Sequence, residues 1–294
     1  MLRIISYPLV CTFLIPVFVA CGRVPDPPAT TSFQDQQSDS IEELVSKAME
    51  TWSAGDYQAA LKQATKLCQL QPDNIRYQLL LGDIGFAAGK MDESIAAYDA
   101  AIRIEPDVEP RLWQRGLALY YADRFADGVK QFETHQTVNS QDVENAVWHL
   151  LCAARVSDVE QAREKLIPIT KDSRVPMAEV YEMFAGRMTS EDVLESARKT
   201  SARVPENGND HKLQLYYAWL YIGLHQEMLG EHEASVESLK KAEEQNPLGK
   251  TNFMGQVARV HLQLRADAGA LTDDKTESTT GGHVSGAQPP DIDQ

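Results

Sequence analysis

The side chains of this chain that could act as nucleophiles, acids or metal ligands do not fall into a working catalytic pattern. Seven histidines are scattered, with neither a His-Glu-x-x-His pair for a metal nor a Cys-x-x-Cys. Gly85 through Gly89-Lys90 has the outline of a phosphate-cradling loop. Its spacing is one residue short, and Met91 stands where a Ser or Thr hydroxyl would hold magnesium. Gly282 to Gly286 has the wrong spacing for the Gly-x-Ser-x-Gly turn that presents a serine nucleophile. The acid pairs Glu42-Glu43 and Glu243-Glu244 read as solvated helix faces. No catalytic residue, cofactor or metal is expected; an unrecognised enzymatic site in residues 170–210 stays as an alternative. Cys68 and Cys152 sit beside Leu67, Leu70, Leu150 and Leu151. They are expected to be buried free thiols, too far apart along the fold for a disulfide.

The chain of 294 residues is 43% hydrophobic and 24% charged, globular proportions with ample material for a core. Its net charge of −15 argues against nucleic acid, whose phosphates need a basic surface. Arg3 is the only charged side chain among residues 1–20. It precedes an apolar run, Phe13 to Ala20, interrupted by Pro8 before it and Pro16 within it. That is the layout of a secretory signal rather than of an unbroken membrane span. Residues 22–40 hold Pro25, Pro27 and Pro28 among Thr, Ser, Gln and Asp, and read as a tether. Residues 267–294 hold six acids against Lys275, with Gly281-Gly282 and Pro289-Pro290, and read as a disordered acidic tail.

Between tether and tail the hydrophobic pattern is helical and strand signals are nearly absent, so the fold class is all-α. A period of 34 residues runs through it. Pro72 and Pro106 are one step apart, as are Gly82 and Gly116, and Gly55, Gly89 and Asp123 make two steps. The small residue at the eighth position (Ala48, Gly82, Gly116, Gly223) lets the second helix of a pair approach the first. The glycines after the first helix supply a permissive turn, and the prolines end the second helix.

Residues 41–74, 75–108, 109–142 and 216–249 resemble tetratricopeptide repeats, which have this period. The resemblance is carried by Leu44, Ala48, Ala60, Leu67 and Pro72 in the first unit. Leu81, Gly82, Tyr98, Ala101 and Pro106 carry it in the second, and Leu112, Gly116 and Phe132 in the third. Trp219, Ile222, Gly223, Leu239, Ala242 and Pro247 carry it in the last. It implies a superhelix of paired antiparallel helices. Residues 143–169 look like a degenerate repeat, and helices are expected over 177–187 and 190–202, the second capped by Thr189 with Asp192. The organisation expected is a signal peptide at 1–20, an anchored tether at 21–40 and three repeats at 41–142. A degenerate repeat with irregular helices then fills 143–215, the last repeat with a capping helix 216–266, and the tail 267–294. The apolar stripe Phe253-Met254, Val257-Ala258 and Val260-His261-Leu262 is expected to cover the exposed end of the array.

Phe18-Val19-Ala20-Cys21-Gly22 resembles the bacterial lipobox, in which the cysteine is acylated and becomes the mature N-terminus. Phe18 departs from the usual Leu, and cutting after Ala20 by an ordinary signal peptidase is the alternative. Gly22, rather than Asp, favours an outer membrane. The whole layout is similar to NlpI-type lipoproteins, most closely over Arg115-Gly116-Leu117-Ala118-Leu119-Tyr120-Tyr121. That resemblance implies a dimeric envelope scaffold for proteases or peptidoglycan hydrolases.

In the tetratricopeptide family, first-helix positions 5, 9 and 12 share one face and line a concave groove. Here these are Val45, Met49 and Trp52; Leu79, Asp83 and Phe86; Trp113, Leu117 and Tyr120, with Tyr121 beside it. The last repeat places Leu220, Leu224 and Glu227 there. The groove is apolar and aromatic, without the Lys, Asn and Arg of members that clamp chaperone carboxylates. It suits an apolar helix or extended peptide with basic flanks. The expected function is a non-catalytic envelope lipoprotein adaptor, with a self-associating structural protein as the alternative. Trp113 and Tyr120 carry an open choice, between binding a partner and being buried by the chain's own C-terminal half. Trp148 and Trp219 are expected in the core.

Overall fold

A computed structural model describes residues 33–199 and 208–265. The signal, Cys21, most of the tether, residues 200–207 and the acidic tail lie outside the described residues. The chain divides into two units, Met1–Asp39 and Ser40–Gln294. In the first, the described residues 33–39 are helical. Everything below concerns the second.

Among the described residues the unit is helical, with no strand. Antiparallel neighbours in sequence pack as pairs: α3 (Ile75–Ala87) with α4 (Met91–Ile104), and α5 (Trp113–Tyr121) with α6 (Phe125–Gln136), while Trp52 of α1 (Phe33–Ala54) packs with Ala60 and Ala64 of α2 (Tyr57–Leu70). The turns inside these pairs fall at Gly55, Gly89 and Asp123, whose φ values are +88°, +72° and +56°. The 34-residue period therefore marks a left-handed backbone position, which Gly enters freely and Asp tolerates. The close approach is equally physical. A Cβ at Gly82 would stand 2.5 Å from the Tyr98 ring, and one at Gly116 2.5 Å from Phe132. Helix starts are fixed by side chains accepting from the first turn, Asp56 from Ala59 N at 3.0 Å and Asn74 from Arg76 N at 3.1 Å. Pro106 stops α4 and opens a short 3-10 turn, Pro106–Arg111, before α5.

Helix α7 (Val143–Val156) continues the stack, but its partner α8 (Val159–Glu164) is only 6 residues long. The chain then runs without helix to α9 (Met177–Phe184) and α10 (Ser190–Arg198). Thr189 and Asp192 form the reciprocal capping box at α10. Arg174 holds the irregular stretch down: its guanidinium pairs with Asp142, Glu144 and Asp172, and Glu144 accepts from the Tyr221 hydroxyl at 2.8 Å. Helix α11 (Asn209–Met228) is long, 20 residues, and packs on α12 (His232–Gln245) through Gly223 against Leu239. Trp148 is fully enclosed, whereas Trp219 is half-buried beneath Lys241. Cys68 and Cys152 are free and buried. Burial pushes the Cys68 thiol up to about 11 and Cys152 higher, so neither is a ready nucleophile.

Residues 257–265 form a last helix, α13, preceded by a 3-10 turn, Met254–Gln256. Within this stripe Val257, Ala258, Val260 and His261 are buried and Phe253, Met254 and Leu262 half-buried, but the stripe does not lie on the end of the stack. It is inserted between α11 and the first helices of the second and third repeats. On one side the Tyr216 hydroxyl donates to the Met254 carbonyl, and Asn246 donates to Gly255 O at 2.7 Å. On the other, Phe253 meets Phe86 and Trp113. Both flanking surfaces are apolar, so the stripe buries two faces instead of the one that an end cap would cover. A continuous core runs from Phe86 through Trp148, Phe184 and Tyr221 to Val260, and Trp52, Ala60, Ala64 and Ile84 form a small separate cluster.

Candidate functional site

The candidate site is the inner face made by α1, α3 and α5. Its centre is occupied from within. Phe253 stacks on Phe86 with centroids 4.3 Å apart and meets Trp113 edge-on at 5.2 Å. Arg259 lies over the Tyr57 ring at 4.1 Å and donates to the Ala87 carbonyl at the end of α3. Lys250 donates to the Ala54 carbonyl at 2.7 Å, satisfying a helix-end acceptor of α1.

The expected groove residues separate into three environments. Phe86, Leu117 and Tyr120 are buried, at 0%, 1% and 2% exposure, and Trp113 and Tyr121 are half-buried beside them. Tyr121 shares a hydrogen bond with His261 Nδ1 at 3.1 Å, and Tyr120 donates to Glu227 Oε2 at 3.0 Å. The inner faces of the third and last repeats therefore contact each other. Trp52 does not line a groove; it packs into the small core with Ala60, Ala64 and Ile84. Val45, Leu79 and Asp83 are half-buried and Met49 is 42% exposed, so the accessible part of the face is its α1–α3 end.

The electrostatics are those of polar groups set in an apolar interior. Asp83 accepts from the Tyr98 hydroxyl, yet burial outweighs that bond and pushes its carboxyl up to about 6. His261 is held down to about 4 by burial, against the pull of Glu227, whose nearest oxygen is 3.6 Å away. Glu227 pairs with Arg265. Reading positions 5, 9 and 12 does not single out Phe253, Arg259 or His261. The available signal is the pair of polar residues, Arg259 and His261, inside an otherwise apolar stripe, which marks a helix needing polar partners on a buried face. Among the described residues no group of three or more His, Cys, Asp or Glu side chains could hold a metal ion.

Stacked antiparallel helix pairs with left-handed turn residues every 34 positions define a helical-repeat protein. Residues 46–109 match the tetratricopeptide repeat family model. The match runs from the second half of α1 to the turn after α4, and the likeness to the family rests on that stretch. Among solved structures it is similar to the crystal structure of MamA protein, with 15% identity and a TM-score of 0.41 over 71% of this chain and 93% of that chain.

Proposed function

We propose that this protein is a non-catalytic adaptor tethered to the bacterial envelope, recruiting a soluble wall hydrolase or protease to the membrane surface. Support for the tether is the lipobox-like stretch ending in Cys21. Acyl chains contribute roughly 0.8 kcal/mol per buried methylene, and more than one chain gives a lasting anchor. Tethering raises the local concentration of whatever the repeats hold. The hydrolase and protease classes come from the resemblance to NlpI-type lipoproteins.

The observation that carries the partner reading is the uneven cover of the inner face. Its α3–α5 centre is filled by Phe253, while Val45, Met49, Leu79 and Asp83 leave an apolar strip with one carboxylate at the α1–α3 end. The partner element is an apolar helix or extended segment with basic flanks, matched to a chain of net charge −15. A photo-reactive residue at Met49 in the full-length protein tests this in the cell. The adaptor reading expects a cross-link to a hydrolase or protease that disappears with Leu79→Asp. Cross-links only to a second copy of the chain would make it a self-bridging structural protein, and no cross-link at all would refute the strip as a partner surface.

A further inference from the structure

A second concavity lies away from that strip, where the ends of α5, α7 and α11 meet α12 and α13. It has a volume of about 490 Å³, within the size range of small-molecule sites. Its floor is polar and enclosed: Tyr120, the Glu227 carboxylate and His261, the last only 1% exposed. Leu151, Met228 and Val236 give it an apolar wall. The remaining charged groups on its lining are the guanidiniums of Arg155 and Arg265, with the His232 imidazole beside them on the lining.

The charge balance is unlike the rest of the molecule. The chain has 43 acids against 28 Lys and Arg, yet this cavity sets two guanidiniums against one carboxylate. Glu227 is already engaged by Arg265 and by the Tyr120 hydroxyl. Arg155 is committed only loosely. It lies over the Phe125 ring at 4.5 Å, and among the described residues its ion pair, to exposed Asp123, is 4.0 Å long. Arg265 Nε is buried without a hydrogen-bond partner among the described residues. A surplus guanidinium beside an apolar wall and a satisfied acidic floor selects an anion with an apolar body.

We infer that this cavity binds a small organic carboxylate, its carboxyl group held between Arg155 and Arg265 and its apolar body against Leu151, Met228 and Val236. Planar guanidiniums match a carboxylate bidentately, and such charge-assisted bonds are roughly twice as strong as neutral ones. The site is separate from the proposed partner strip and does not depend on the adaptor reading.

The test is calorimetry on the full-length protein with 4-phenylbutyrate, 4-phenylbutyramide and inorganic phosphate as probes, with the His261 ring resonances as a local reporter. The acid should bind about tenfold or more tightly than the amide, the loss of one charged contact, and should shift the His261 signals. Phosphate, lacking the apolar body, should bind more weakly than the acid. Arg155→Met keeps the aliphatic stem over Phe125 and should weaken the acid by a similar factor. Val236→Trp should block the cavity without touching its charges. Melting curves on both variants establish that they are folded. Equal binding of acid and amide, equal binding of acid and phosphate, or wild-type affinity in folded Arg155→Met or Val236→Trp would each overturn the assignment, as would no binding of the acid.

Discussion

Phe253 lies face to face with Phe86, ring centroids 4.3 Å apart and planes 27° from parallel. Phe86 is one of the residues expected to line the groove, and in the structure a residue 167 positions further along the chain covers it. Phe253→Ala should cost about 2–3 kcal/mol, below the ~3–5 kcal/mol for a fully buried aromatic because Phe253 is half-buried. Chemical denaturation of the two proteins measures it. Unchanged stability would mean that the segment does not cover the inner face in solution.

The buried histidines make stability fall on mild acidification. His261 and His225 are held down to about 4, chiefly by burial, against 6.5 for an ordinary histidine. The unfolded chain takes up protons between these values and the folded chain does not. Stability is therefore full above pH 6.5 and is lost as pH falls towards 4. His261→Asn should flatten the fall in melting temperature between pH 7 and pH 5, removing on the order of 2 kcal/mol of pH-dependent stability.

Asp83 acts with the opposite sign. Its folded value of about 6 exceeds the ordinary 3.8, so its protonation stabilises the fold as pH drops through that window. Asp83→Asn keeps an acceptor for the Tyr98 hydroxyl and removes the buried charge. It should stabilise the protein by about 1–2 kcal/mol at pH 7.5 and steepen the acid loss left by the histidines. A destabilised variant at pH 7.5 would show that the charged carboxylate is needed.

Gly116→Ala places a methyl group 2.5 Å from the Phe132 ring, which is itself only 1% exposed and has little room to retreat. The expected loss is about 2–3 kcal/mol, despite alanine being the better helix former. Gly230→Ala is the contrast. It meets nothing within 4 Å and suffers only from its φ of +82°, so about 1 kcal/mol is expected. Equal effects at the two sites would contradict the close helix approach.

Removing Arg174 leaves Asp142, Glu144 and Asp172 facing one another, with the Asp172 side chain 5% and Glu144 14% exposed. Arg174→Met should cost about 2–3 kcal/mol, below the full figure for a buried pair because Arg174 itself is half exposed. Hydrogen exchange should localise the loosening to residues 165–180. A uniform effect over the whole unit would argue against a local clamp.

The parts of the fold legible in the sequence are those where backbone geometry restricts residue type. Gly55, Gly89 and Asp123 are readable because a left-handed turn admits few residues, and Gly82 and Gly116 because an aromatic ring fills the space of their side chains. The Thr189–Asp192 box is readable because its two hydrogen bonds need those side chains at that spacing. The location of residues 253–262 was not readable. An apolar stripe states that a face is buried, not which surface covers it, and Phe86 and Leu117 have the same composition under a partner or under their own C-terminus. Trp52 shows the same limit, since position 12 of a repeat fixes a helix face only to within the width of a tryptophan.

The bond from Lys250 to the end of α1 joins residues 196 apart, and that from Arg259 to the end of α3 spans 172. Order of synthesis and order of consolidation therefore run in opposite directions. The first repeats to leave the ribosome are among the last to acquire their full set of contacts, because the pieces that fasten them are translated near the end. Until residue 253 is made, Phe86 and Trp113 lack the ring that covers them in the folded protein. A message cut short before codon 250 yields a product whose opening repeats lack their fastening, whatever the quality of their own sequence.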